Sequence, residues 1–280
     1  MSGIHRIDLG NPALLQFRGP DAVRFLNGQL TQDVRRVAGG KISLPSCVTD
    51  AKGRLQFRVW LTECDGALWV GGLEEWAEAL EARLTRYLIA DDVEVDDLTC
   101  KLALVHFTGP VADTPAGVLA RESNRFGILG TDWWIPCDAA VDFPAGIELL
   151  AGDDLEALRI GNGVPAWGHE LVEGMLPPEA RLDETDISYN KGCYIGQEVI
   201  SRIKSAGKVN KRLARFSIPV DAPAVAGPLV GLEGAVTGEL TSVSPILKDG
   251  FRDALGYVKR GATEFFLKTA DGAAVPVRVV

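Results

Sequence analysis

From Leu213 onward, short runs of Val, Leu, Ile and Phe are cut by Gly231, Gly234, Gly238, Pro245, Gly250, Gly256 and Gly261. Runs this short between turn formers leave no room for helix, and several in succession predict a small all-β unit, a barrel or Greek key. The preceding chain is patterned differently. Leu73, Trp76, Ala77, Leu80, Leu84, Tyr87 and Leu88 recur at helical spacing, with Glu74, Glu75, Glu78 and Glu81 toward the end where the helix dipole favours acids. Leu14 to Phe17, then Gly19-Pro20-Asp21, then Val23, Phe25, Leu26 and Leu30 predict strand, turn and helix. Ser46 to Thr49 and Leu55 to Leu61 flank Gly53 as a hairpin, and Val93 to Val95 and Leu102 to Phe107 read as strands. Asp153 or Asp154 can cap a short helix that stops at Gly161. The fold class expected is α+β, with a β-rich end.

With 280 residues, 46% of them hydrophobic, the chain can build two or three compact units. A net charge of -9 argues against nonspecific binding of nucleic acid or a membrane surface, since both are polyanionic. Met1 to Gly10 lack the apolar core of a signal peptide, and no later stretch approaches the roughly 20 apolar residues of a membrane span, so a soluble, cytoplasmic protein is expected. Cys47, Cys64, Cys100, Cys137 and Cys193 are odd in number and form no C-x-x-C pair, which suits free thiols in a reducing compartment. His5, His106 and His169 are equally dispersed, and no metal site is expected.

The most unusual run is Lys191-Gly192-Cys193-Tyr194-Ile195-Gly196-Gln197-Glu198. Gly192 and Gly196 permit backbone conformations that would set Cys193 and Tyr194 at the crest of a turn. Lys191, two residues away, would stabilise a Cys193 thiolate. Residues 191–212 hold six basic side chains against one acid, Glu198, so a local site for phosphate, carboxylate or RNA backbone is a candidate. Each feature has a plainer reading: a buried thiol, an ordinary turn, a solvated helix face.

Lys191 to Glu198, with Arg202 beyond, resembles the K-G-C-[YF]-x-G-Q-E-x-x-x-R signature of the YgfZ family, relatives of the glycine-cleavage T-protein. Phe25-Leu26-Asn27-Gly28-Gln29-Leu30-Thr31-Gln32-Asp33-Val34 and the stretch from Arg159-Ile160 through Gly163-Val164-Pro165 to Gly168-His169-Glu170-Leu171 resemble the same family, in the same order. The resemblance implies a three-domain cloverleaf around a tetrahydrofolate cavity. Its domains would be 1–45 with 138–208, discontinuous and α+β; 46–137, also α+β; and a C-terminal β-barrel at 209–280. It further implies an accessory role in iron–sulfur cluster assembly or repair and in tRNA modification, with Cys193 and Lys191 as the active pair. Tyr194, Gln197, Glu198, Arg202, Asn27, Gln56 and Asn162 would contact the folate. Partners would be the folate and iron–sulfur client proteins, with tRNA contact through residues 202–212 a weaker expectation.

The alternative is a folate-dependent one-carbon transferase. Glycine-cleavage aminomethyl transfer is not expected, because Gln56 and Phe57 stand where T-proteins place paired aspartates, and neither can carry negative charge beside a cationic transfer state. Gly161 likewise replaces a folate-facing glutamate, leaving Asn162 as a substitute acceptor.

Overall fold

A computed structural model describes residues 3–269 and 272–280. The chain divides into two compact units, one comprising the residues up to Leu150 together with Asp183–Ser201, the other Ala151–Leu182 and Arg202–Val280.

The first unit contains β1 (His5–Asp8), β2 (Ala13–Arg18), α1 (Ala22–Gln29), β3 (Leu44–Thr49), β4 (Leu55–Cys64), β5 (Ala67–Gly72), α2 (Ala77–Thr85), β6 (Glu94–Asp97), β7 (Leu102–Phe107), β8 (Leu119–Ser123), β9 (Gly130–Pro136) and β10 (Glu148–Leu149). Two five-stranded sheets result, ordered β3-β4-β5-β2-β6 and β10-β1-β7-β9-β8. The expected hairpin is β3–β4, antiparallel with Ser46 opposite Val59, and β2 adds to its sheet by pairing with β5 and β6. One sheet therefore carries strands from both sides of residue 45. Alternation along β2 and β7 sends Leu14 and Leu104 into a shared apolar cluster with Trp69 and Trp134, whose rings meet edge to face at 5.8 Å. Phe107 and Trp133 anchor a second cluster.

The apolar stripe over 73–88 gives less α-helix than its spacing predicts. A 3-10 turn spans Glu74–Trp76, α2 ends at Thr85, and Tyr87 stands exposed beyond it. The Thr85 hydroxyl donates to the Glu81 carbonyl at 2.8 Å, a side-chain bond of the kind that competes with helix continuation.

In the second unit, α3 (Gly152–Gly161) matches its expected span, but Ala151 occupies the cap position and Asp153 and Asp154 lie inside the first turn. There they still favour the positive end of the helix dipole. α4 (Gln197–Ala206) begins in the first unit and from Arg202 belongs to the second, where β11 (Lys211–Pro219), β12 (Gly227–Val230), β13 (Val236–Val243), β14 (Phe251–Lys259), β15 (Phe266–Lys268), β16 (Ala274–Pro276) and β17 (Arg278–Val279) follow. These strands form one sheet ordered β16-β15-β12-β13-β14-β11-β17. It is nearly closed and barrel-shaped around Phe216, Ile218, Leu229, Leu240, Ala254 and Leu267, as the Gly-punctuated runs predict. Among the described residues no helix is long and apolar enough to cross a membrane.

Candidate functional site

The run 191–198 lies in the first unit, on a segment bound back onto α1, β3 and β4. Asp186 is fully buried and its carboxylate accepts from Arg58 Nε at 2.7 Å and Nη2 at 3.2 Å. Burial alone would pull the Arg58 guanidinium down; the buried Asp186 carboxylate outweighs it and holds the guanidinium above its ordinary value. Burial, with Asp186 nearby, pushes the enclosed Cys47 thiol well up, so that cysteine is inert packing. Thr31 Oγ1 donates to the Asp186 carbonyl at 2.7 Å, and Ser188 N–H donates to the Thr31 carbonyl at 3.0 Å.

Lys191 is turned inward. Its ammonium donates to the carbonyls of Asn27 (2.7 Å), Leu30 (2.6 Å) and Gln32 (2.8 Å), which takes up all three of its N–H groups. The pairing of Lys191 with Cys193 expected from their spacing is therefore replaced by a clamp on the end of α1. Burial lowers the ammonium from 10.5 to about 7, against which three carbonyl oxygens and the Tyr194 ring face at 5.1 Å favour its charged form.

Cys193 is exposed, while Tyr194 is buried rather than shared at the crest. Of the two glycines, Gly196 has the left-handed conformation (φ +87°) and Gly192 does not. Gly196 packs against the β3–β4 turn so closely that a Cβ would stand 2.5 Å from the Asp50 carbonyl and 2.8 Å from Gly53 Cα. The Thr49 hydroxyl donating to the Ile195 carbonyl at 2.6 Å and the Ile195 N–H donating to the Gly28 carbonyl at 3.1 Å complete the seam. Gly196→Ala is therefore expected to lower stability by about 2–4 kcal/mol, from strain at positive φ together with backbone overlap. Urea denaturation followed by tryptophan fluorescence measures it, and a loss below about 0.5 kcal/mol would mean that the turn yields freely.

Beside this seam lies a cleft of about 650 Å³ lined by Gln29, Ala51, Tyr87, Tyr194, Ile195, Gly196, Gln197 and Glu198. Its size is in the range of small-molecule sites. The Tyr194 hydroxyl is buried with no hydrogen-bond partner, and burial raises the phenol above its ordinary value. Gln56 on β4 accepts from Arg83 Nε at 2.6 Å, and Arg83 also donates to Gln29 Oε1 at 3.0 Å and to the Thr49 carbonyl at 2.8 Å. Asn27 is committed locally, its Oδ1 accepting from the Val34 N–H at 3.1 Å.

The site residues thus fall into two sets. Asn27, Gln56, Lys191, Cys193, Tyr194, Gln197 and Glu198 belong to the first unit, Asn162 and Arg202 to the second, where Asn162 caps the C-terminus of α3. Arg83 was not singled out in the sequence, and Tyr87 only as part of the apolar stripe. The available signal was a charged residue on the apolar face, three residues after Leu80 and four before Tyr87. Among the described residues no group of three or more His, Cys, Asp or Glu side chains is placed to hold a metal ion.

The second unit carries its own buried network. Glu170 accepts from Arg159 Nη1 (2.8 Å), the Ala166 N–H (3.0 Å), Thr241 Oγ1 (2.7 Å) and Ser242 Oγ (2.6 Å). Burial would raise its carboxyl, yet those hydroxyls, the N–H and the guanidinium together hold it below the ordinary 4.5.

No family model matches the chain. It is 28% identical to the tRNA-modifying protein YgfZ of Aliivibrio fischeri over 226 residues, covering 73% of this chain and 68% of that protein. It is also 28% identical to a mitochondrial iron–sulfur cluster assembly factor homolog of Pyricularia oryzae, covering 71% of this chain and 54% of the assembly factor. Among solved structures, the glycine cleavage system aminomethyltransferase T of Bartonella henselae superimposes with a TM-score of 0.76 at 18% identity, over 99% of this chain and 84% of the other. The fold is that of the T-protein.

Proposed function

The chain is related to the YgfZ proteins and has the T-protein fold, and on that footing we propose that it binds tetrahydrofolate or a derivative and supports iron–sulfur enzymes and tRNA modification in the cytoplasm, acting through Cys193. The observation that carries this reading is the contrast at the motif. Lys191, Ile195 and Gly196 are fastened to the protein by bonds and close packing, while Cys193 between them stays exposed, one residue from the wall of the cleft. A rigid mount with an accessible thiol suits transfer to or from a partner.

The cleft fits a reduced folate in kind. Tyr87 offers an exposed aromatic ring, and Gln29, Gln197 and Glu198 offer polar groups. A bound reduced folate would supply one-carbon or redox chemistry; this chain's residues would bind it, orient it and limit water. Gln56 is neutral and fastened to Arg83, so no carboxylate there supports a cationic transfer state, and an accessory role is favoured over aminomethyl transfer.

Calorimetric titration with tetrahydrofolate under anaerobic conditions tests the binding; micromolar saturation is expected, and no heat at millimolar ligand would end the folate reading. Cys193→Ala should leave stability within about 0.5 kcal/mol, since the side chain is exposed, yet abolish rescue of iron–sulfur enzyme activity in cells lacking the protein. Full rescue would remove the thiol from the mechanism.

A further inference from the structure

We propose that the cleft selects ligands that present an oxyanion, a carboxylate or a phosphate, to Arg83 at the end of α2, with Arg86 reinforcing the charge. The proposal deepens the folate reading, on which it rests for its choice of probes, by assigning a charge to the group received at this wall.

The argument starts from the partners of Arg83. Its guanidinium is half-buried, yet its three acceptors, Gln29 Oε1, Gln56 Oε1 and the Thr49 carbonyl, are all uncharged. A guanidinium has five N–H groups, so two are left over. A charge withdrawn from water without a counter-ion is costly, and arginine in such a place is normally paired. Burial accordingly depresses Arg83 from its ordinary value.

No carboxylate of the surroundings closes the pair. Asp50 acts on Arg83 from a distance, but its Oδ1 accepts from the N–H groups of Lys52 and Arg54 in its own turn. Glu198 lines the same cleft, but the acceptors of Arg83 are Gln56, Gln29 and Thr49. A second cation adds to the imbalance: Arg83 lies 5.6 Å and Arg86 5.8 Å from the centre of the same Tyr87 ring. Two guanidiniums beside one ring repel each other, and a bound anion relieves the repulsion.

Arg83 is tied to the cleft by its contacts, because Gln29 and Tyr87, which it touches, both line it. Tyr194, on the same lining, is 7% exposed and packs its ring into the interior beside Ile187 and Ile200.

The experiment titrates the full chain by calorimetry with tetrahydrofolate, with its α,γ-diamide, in which both glutamyl carboxylates are neutral amides, and with inorganic phosphate. Tetrahydrofolate is expected to bind about tenfold more tightly than the diamide, the worth of one charge-assisted pair. Arg83→Gln should close that gap to within about twofold, and Arg86→Gln, at an exposed position that need not affect folding, should narrow it. Equal binding of the two pterins by the unaltered protein overturns the proposal. If neither pterin binds but phosphate does, and Arg83→Gln abolishes it, the folate reading fails while the oxyanion site stands. If phosphate also fails to bind, both are lost.

Discussion

Asp186→Ala should cost about 3–5 kcal/mol of stability in the first unit, because it takes from the buried Arg58 guanidinium the carboxylate it is paired with. The carboxylate is fully buried, and Arg58 has 16% of its side chain exposed, too little for water to replace the lost partner. Replacing both residues, Arg58→Met with Asp186→Leu, should cost less than the single change, since removing both partners avoids an orphaned charge. Tryptophan emission in urea is a suitable readout: Trp60, Trp69, Trp76, Trp133 and Trp134 all lie in the first unit, and only Trp167 in the second. A single-variant loss below about 1 kcal/mol would show that the pair behaves like a solvated surface bridge. The functional consequence lies five residues further on. Asp186 is one anchor of the segment that presents Lys191 and Cys193, so the variant should also loosen the cleft.

Glu170→Gln is expected to cost the second unit about 2–3 kcal/mol and to flatten its response to acid. The sign follows from the carboxylate's depressed value. A glutamate held below 4.5 in the folded state contributes stability that is fully present above 4.5 and disappears as pH falls through the lower folded value. The unaltered protein should thus lose stability between about pH 5 and the folded value, while the glutamine variant, already without that contribution, should lose less over the same interval. Thermal unfolding from pH 6 to pH 3 measures both curves; parallel curves would mean that Glu170 is not the group responsible. Glu156 also bonds Arg159 and limits the damage, because the guanidinium keeps one carboxylate.

Much of the architecture is legible in the sequence where one element suffices to explain a pattern. The β3–β4 hairpin, α3 and the strand-rich end follow from periodicity and turn residues, and the 191–198 run stands out by composition alone. What stays hidden depends on where side chains turn. Lys191 and Cys193 are two residues apart, yet one points into the protein and the other to solvent, and spacing in an irregular segment does not fix direction. Arg83 escapes for a related reason: its importance comes from Gln29 and Gln56, 54 and 27 residues away. β1 and β10 pair in parallel through His5 and Glu148, and a two-residue strand is too short for any alternation to announce it.

The seam that holds the cysteine loop also sets an order on assembly. Lys191 reaches Asn27 across 164 residues, Asp186 reaches Arg58 across 128, and Ile195 reaches Thr49 across 146. Such contacts are among the last that a growing or refolding chain can close, since each waits on a long loop and on partners already in place. A chain synthesised only as far as Leu182 has the β3–β4–β5 strands but not the wall formed by Tyr194 to Glu198. The ligand capture proposed for that wall would therefore be withheld from the nascent protein and begin only once the polypeptide has passed the motif.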